Sequence, residues 1–190
     1  MLQQSGNDFK PIIQWIPFFL NKDTPSGGYN LADYINSKYG PGVATQAAIR
    51  LDQAGKKVGI QFNQERRIVN TVNSHRLMEH VNKNYGFEIG DIVMENIFKA
   101  YFEQARDISK EEVLVECVNS LGIDKDSIVT FLQSDLLKKH IDEQDQRNKV
   151  SRINGVPLFI FVNNRGETIG SMSGAQPPQV LKDILAEALE

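Results

Sequence analysis

Residues 155–172, GVPLFIFVNNRGETIGSM, are the part of the sequence most informative about the architecture. Residues 156–162 are mostly β-branched and aromatic, which predicts a strand, and the NNRG sequence of residues 163–166 predicts a turn. Residues 168–172 predict a second short strand. A helix is expected over residues 177–189, because apolar residues recur there at helical spacing and a proline in the first turn of a helix costs little. The chain is therefore expected to end as strand, turn, strand and helix.

A helical block precedes this stretch, and an early strand precedes the block. Residues 11–20 are short, β-branched and aromatic, which favours a strand that ends or lies at a sheet edge at Pro17, since proline cannot donate to a ladder. Asn70 or Thr71 is expected to cap a helix, and Ser109 and Glu112 are expected to form a capping box. Apolar residues at helical spacing, most runs closed by a glycine, predict helices over residues 31–38, 44–58, 71–85, 91–106, 111–121, 127–134 and 136–152.

Composition and charge exclude several classes of protein. Hydrophobic residues make up 41% and charged residues 24% of the 190 residues, which excludes a disordered or fibrous chain. The net charge of −3 argues against nucleic acid as a partner. No apolar run approaches the ~20 residues that cross a bilayer, so no membrane partner is expected. Residues 1–10 carry no secretory pattern, and a cytoplasmic protein is expected.

The single cysteine, Cys117, excludes an intramolecular disulfide and a cysteine-based zinc site. It lies among apolar residues at helical spacing, Val113, Leu114, Val118 and Leu121, which predicts a small buried side chain rather than a reactive thiol. The histidines offer no metal site, because His75 and His80 lie on different sides of one helix and His140 is remote. We expect no metal and no cofactor.

Seven short motifs occur along the chain in the order seen in the DsbA-like thioredoxin family, in its FrnE-type branch of dithiol–disulfide oxidoreductases and isomerases. The sequence resembles this family from about Trp15 to Leu189. The motifs are Phe18-Phe-Leu-Asn21, Asn70-Thr71, Ser74-His-Arg76, Ala100-Tyr-Phe102, Asp107-Ile108, Gly155-Val-Pro157 and Ser173-Gly-Ala-Gln176.

The resemblance implies an α/β, thioredoxin-like fold of the DsbA type with a large all-helical insertion. It divides the chain into an incomplete thioredoxin-like portion, residues 1–30 and 150–190, and a helical insertion, residues 31–149. The family's Cys-x-x-Cys sits on a strand-plus-helix unit that has no counterpart in this sequence, so the N-terminal βα unit is expected to be missing and no catalytic residue is assigned. Either the chain is truncated or this branch has lost the chemistry. Residues 12–18 and 158–162 would then lose the strand between them, and we expect them to pair directly, with residues 3–9 or a second chain as other ways of filling the gap.

Three functions follow from the resemblance. The first is the family activity, thiol–disulfide oxidoreductase or isomerase, in a chain without the redox motif. The second is a non-catalytic thioredoxin-like module that binds an extended peptide beside Pro157, and the third is a glutathione-using relative of the kappa-class transferases and isomerases. The partners expected are a protein thiol or disulfide, an extended peptide, glutathione, or a second copy of the chain. The substrate-binding residues expected are Val156, Pro157, Asn70, His75, Arg76 and Gln176, with a cis peptide bond before Pro157.

Overall fold

The computed structural model of this chain describes residues 10–187. These residues divide into two compact units, and the boundary between Glu143 and Gln144 falls inside one helix. In chain order the elements are β1 (Tyr29–Asn30), α1 (Leu31–Tyr39), α2 (Val43–Lys56), β2 (Arg67–Ile68), α3 (Val72–Tyr85), α4 (Phe87–Phe98), a π-helical turn (Lys99–Glu103), α5 (Glu111–Val118), α6 (Lys125–Gln133), α7 (Lys138–Val150), β3 (Leu158–Val162), β4 (Thr168–Ser173) and α8 (Pro178–Glu187). Among residues 10–187, none of the helices combines the length and the hydrophobicity of a membrane-spanning segment.

The first unit is built around the buried faces of helices α3 to α6. Each of these helices turns apolar residues at helical spacing toward a common core, as the sequence pattern predicts. Burial of these side chains removes apolar surface from water and is the main stabilising contribution to this unit. The core residues include Leu77, Val81, Val93, Ile97, Leu114, Val118, Ile128 and Phe131.

A small antiparallel sheet joins β1 and β2 at the margin of this unit. Tyr29 pairs with Ile68 and Asn30 pairs with Arg67. Gly28 precedes β1 with a φ of +61°, and a β-carbon at this position would lie 2.2 Å from the main-chain oxygen of Ile68. Glycine is therefore required where the two segments approach each other.

The expected strand over residues 12–18 is wrong, because the structure forms no strand between residues 10 and 28. Side-chain contacts of Trp15 anchor this extended segment to α4. Trp15 donates its indole N–H to Asp91 Oδ1 at 2.9 Å, and its ring meets Phe98 edge to face at 5.5 Å. The expected direct pairing with residues 158–162 is also wrong, since β3 pairs only with β4 among the described strands. Residues 3–9 lie outside the described residues.

Two helix boundaries differ from the sequence expectation. The capping box at Ser109 is wrong: the Ser109 hydroxyl donates to Asp107 Oδ1 at 2.6 Å, and α5 begins at Glu111 with no side-chain cap. A nearby carboxylate therefore outcompetes the free N–H groups of the helix for this hydroxyl. Helix α4 begins at Phe87, before the expected Asp91, and passes into the π-helical turn after Phe98.

The second unit contains the β3–β4 hairpin and helix α8. The hairpin is antiparallel, with Leu158 opposite Ser173 and Phe161 opposite Gly170, and it carries an irregularity between Phe161 and Val162. A methyl group placed on Gly170 would lie 3.8 Å from Ile184 of α8, so the helix covers this face of the hairpin. The strand, turn, strand and helix that the sequence predicts for this end of the chain are all present.

Candidate functional site

The second unit presents an exposed loop immediately before β3. Val156 is 49% exposed, and its peptide bond to Pro157 is cis, the isomer that the resemblance implies. The main-chain oxygen of Pro157 accepts a hydrogen bond from Gly174 N–H at 2.8 Å, which fixes the loop against the end of β4. The main-chain N–H and C=O of Val156 have no hydrogen-bond partner among residues 10–187. Val156 therefore offers a donor and an acceptor beside the strand.

Gln176 lies on the segment that supports this loop. Its side-chain amide donates to the main-chain oxygen of Ser173 at 3.2 Å, within the turn that follows β4. Gly174 adopts a φ of +77°, a left-handed conformation that glycine tolerates. The structure thus brings Val156, Pro157 and Gln176 into one local arrangement in the second unit.

Asn70 and His75 lie in the first unit, where both bind main-chain carbonyl groups of the segment that precedes β1. The amide of Asn70 donates to Thr24 O at 3.0 Å, and its oxygen accepts from Val72 N–H at 2.9 Å. His75 places Nδ1 2.7 Å from Thr71 O and Nε2 3.2 Å from Phe18 O. These contacts position the segment at the start of α3.

Arg76 is completely buried, and main-chain oxygens surround it. Its guanidinium donates to Phe131, Leu132, Ser134 and Leu136 oxygens at 2.7–3.1 Å, and to the side-chain oxygen of Asn73 at 2.8 Å. An arginine has five N–H groups, and all five are engaged here. Arg76 therefore holds the end of α6, and its side chain has no donor left for a ligand.

Cys117 is buried in the core of the first unit and is 5% exposed. Burial raises the pKa of its thiol to about 11. The thiolate is the reactive form in thiol–disulfide exchange, so this cysteine is a poor nucleophile near neutral pH. The sequence prediction of a buried, unreactive side chain is confirmed.

A shallow cavity of about 630 Å³ lies in the first unit, and no sequence pattern predicts it. His140 at its edge places Nε2 3.0 Å from Glu79 Oε1. Its other charged side chains pair with neighbours along the chain, as in the Lys138–Asp135 and Lys139–Glu143 pairs. Among the described residues, no group of three histidine, cysteine or acidic side chains could hold a metal. The cavity is lined by Ser134, Asp135, Leu136, Leu137, Lys139, His140 and Glu143.

Known proteins resemble this chain in fold and in sequence. The crystal structure of a probable DsbA oxidoreductase from Streptomyces coelicolor superposes with a TM-score of 0.75 at 19% identity, covering 88% of this chain and 71% of that one. At that identity the likeness shows the fold alone. The ClpXP adapter protein SpxH of Shouchella clausii (strain KSM-K16) is 28% identical over 105 residues, which is 55% of this chain and 35% of that protein.

The model of the DSBA-like thioredoxin domain matches residues 2–186. This match covers nearly the whole chain and includes both units. The helix-rich α/β architecture, with few strands, agrees with it. The chain belongs to the family of DSBA-like thioredoxin domains.

Proposed function

We propose that this chain serves protein thiol–disulfide chemistry as a substrate-recognition domain, which binds an extended polypeptide at the loop before β3. In this proposal residues 10–187 supply binding groups, and no residue among them supplies the attacking thiolate. The family, whose fold suits protein or thiol substrates, supports the first part. The buried state of Cys117 supports the second.

The observation that carries the proposal is the exposed main chain of Val156. A donor and an acceptor that have no partner among residues 10–187, next to a strand, can form two hydrogen bonds with an extended peptide. Recognition through main-chain groups depends little on the sequence of the peptide. It therefore suits a domain that must accept many protein substrates.

The runner-up is a complete thiol–disulfide oxidoreductase or isomerase. Membership of the family and the probable DsbA oxidoreductase from Streptomyces coelicolor favour it. Exchange needs a thiolate that attacks a disulfide sulfur and a second thiol that resolves the mixed disulfide. These 190 residues contain one cysteine, so this function requires thiols from another polypeptide segment.

An adapter role is a specific form of the first proposal. SpxH is named a ClpXP adapter protein, and an adapter binds another protein without changing it chemically. The matched segment spans about a third of SpxH. The likeness therefore supports protein binding as a general property and identifies no particular partner. A cytoplasmic location and assembly with a second copy of the chain belong to the same proposal.

The experiment is a peptide titration followed by NMR on the full chain. We expect an extended, disulfide-free peptide to shift the amide resonance of Val156 and those of β3. The same peptide with methyl groups on its main-chain nitrogens should bind at least tenfold more weakly, since it lacks the donors. The amides of the β3–β4 turn, Asn163 to Gly166, serve as the internal control. Equal binding of both peptides would refute recognition through the main chain.

Two further arms separate the alternatives. Glutathione is titrated in place of the peptide, and shifts at Val156 with glutathione alone would favour the glutathione-using relative. Reduction of insulin by dithiothreitol is measured with the wild-type chain and with Cys117→Ser. We expect both to stay at background, whereas turnover that disappears in Cys117→Ser would show that Cys117 is catalytic.

A further inference from the structure

The first unit contains two nearly buried arginines, Arg66 and Arg76, and their surroundings differ. Arg76 has an oxygen acceptor for each of its five N–H groups. Arg66 is 8% exposed, and its Nη1 donates to the main-chain oxygen of Asn63 at 2.8 Å. The hydroxyl of Tyr101 is a second acceptor for this guanidinium.

No acidic side chain among residues 10–187 forms an ion pair with Arg66. None of its nitrogen atoms belongs to the buried atoms that lack a partner, so the N–H groups without a protein acceptor reach the surface. Removal from water lowers the pKa of this guanidinium, because burial disfavours the charged form. Arg66 is thus a nearly enclosed positive charge with no ion-pair partner among residues 10–187.

The surroundings of Arg66 are aromatic. Its guanidinium lies 5.6 Å from the centre of the Phe102 ring, and Phe62 meets that ring edge to face at 6.0 Å. Tyr101 turns its hydroxyl to Arg67 O at 2.9 Å, which leaves the oxygen able to accept from Arg66. Tyr101 and Phe102 sit on the π-helical turn, Lys99–Glu103, and such turns often occur at functional sites. The turn therefore places an apolar wall beside the cation.

We propose that Arg66 is the anion-binding residue of a carboxylate site, in which Phe62 and Phe102 contact an apolar group next to the carboxylate. A guanidinium presents paired N–H groups in the plane that a carboxylate matches. We choose a carboxylate over a phosphate because one guanidinium matches one carboxylate, and the neighbouring Arg67 directs two of its nitrogen atoms to Gly27 O at 3.0–3.2 Å. The ligand is an organic acid with an apolar substituent, either a free small molecule or a carboxylate on a polypeptide.

The test uses N-acetyl-L-phenylalanine and its amide as probes, titrated into the full chain by calorimetry. We expect the acid to bind at least tenfold more tightly than the amide. Arg66→Gln should weaken binding of the acid at least tenfold, and the matched control Arg67→Gln should change it less than twofold. Equal binding of acid and amide, or no binding of either at 10 mM probe, would overturn the proposal.

The remaining arms distinguish the source of the carboxylate and guard against misfolding. A peptide that ends in phenylalanine is compared with one that carries an internal Phe-Asp pair, and the tighter binder identifies a terminal or a side-chain carboxylate. Inorganic phosphate that displaces the acid at lower concentration than acetate would overturn the choice of a carboxylate. If Arg66→Gln fails to fold, the comparison of acid with amide on the wild-type chain still decides.

Discussion

Polar side chains at the start of α3 hold the main chain of other segments, which their residue types alone do not reveal. The family resemblance implies that Asn70, His75 and Arg76 bind substrate; Asn70 and His75 are half-buried and Arg76 is buried. In the structure each of them approaches main-chain oxygens of another segment, and Arg76 has no donor left. A sequence motif marks these residues as characteristic of the family. The three-dimensional contacts show which groups each side chain binds.

The buried thiol of Cys117 is expected to react slowly. Its pKa is raised from 9.0 to about 11 by burial, so at pH 8 roughly 100-fold less thiolate is present than in an ordinary free cysteine. We expect labelling by a disulfide reagent to be slower by about that factor in the folded chain, and fast after denaturation. Labelling of the folded chain at the rate of a free thiol would contradict this.

The same pKa shift has a consequence for stability. Between pH 9 and 11 the unfolded chain loses the thiol proton and the folded chain keeps it, so rising pH favours unfolding. The stability advantage of wild type over Cys117→Ala should therefore fall by roughly 2–3 kcal/mol across this range. Denaturant unfolding of both chains at each pH checks it, because other titrating groups are common to the two and cancel in the difference.

Among the elements, the helices could be predicted well and the first strand could not. Helices carry their own hydrogen bonds and caps, so glycines such as Gly40 and Gly86 mark real helix ends. A strand exists only if another strand pairs with it, and residues 12–18, which have the composition of a strand, belong to no sheet among the described residues. The β3–β4 hairpin could be predicted because its two paired strands are adjacent in sequence and joined by a short turn.

Helix α2 packs closely against the loop that follows it, and Gly55 lies at this contact. A β-carbon at Gly55 would lie 2.4 Å from the main-chain oxygen of Ile60 and 2.9 Å from the Phe62 ring. Replacing a glycine by alanine inside a helix ordinarily stabilises by about 1 kcal/mol. Here we expect Gly55→Ala to destabilise by roughly 1–3 kcal/mol, because backbone and ring must shift.

Thermal and denaturant unfolding of Gly55→Ala measure this change. Gly27→Ala is the matched control, since Gly27 has no atom within 4 Å of the added carbon and no positive φ. We expect the control to lie within about 0.5 kcal/mol of wild type. If Gly55→Ala is more stable than wild type, the loop moves away from the added β-carbon without a loss of stability, which would contradict this prediction.

For the whole molecule, the edge of β3 that faces away from β4 is the feature with the largest consequence. Strand β3 pairs with β4 on one side and with no other strand among the described residues. Its sequence is uncharged and apolar, with Phe159, Ile160 and Val162 exposed. Natural proteins usually protect such an edge with charge or proline, and this one has neither within the strand.

We therefore expect two copies of the chain to associate through antiparallel pairing of their β3 strands. Pairing about Ile160 would place apolar residues opposite one another along the strand and would join two hairpins into a four-stranded sheet, which is more stable than a two-stranded one. Because β3 carries no charge, nothing repels its own copy. Sedimentation at tens of micromolar concentration should show a dimer.

Ile160→Lys tests this pairing against a matched control. The variant places two ammonium groups opposite each other at the centre of the interface, and we expect its dimer dissociation constant to rise at least tenfold, about 1.4 kcal/mol or more. Ile49→Lys makes the same substitution on α2 at a side chain of nearly equal exposure, 54% against 53% for Ile160. This control should leave the association unchanged, since Ile49 is distant from β3 in sequence and lies on helix α2, which has no strand edge. A wild-type chain that stays monomeric at 100 μM, or equal dissociation by both variants, would show that the open edge of β3 is not what brings two chains together.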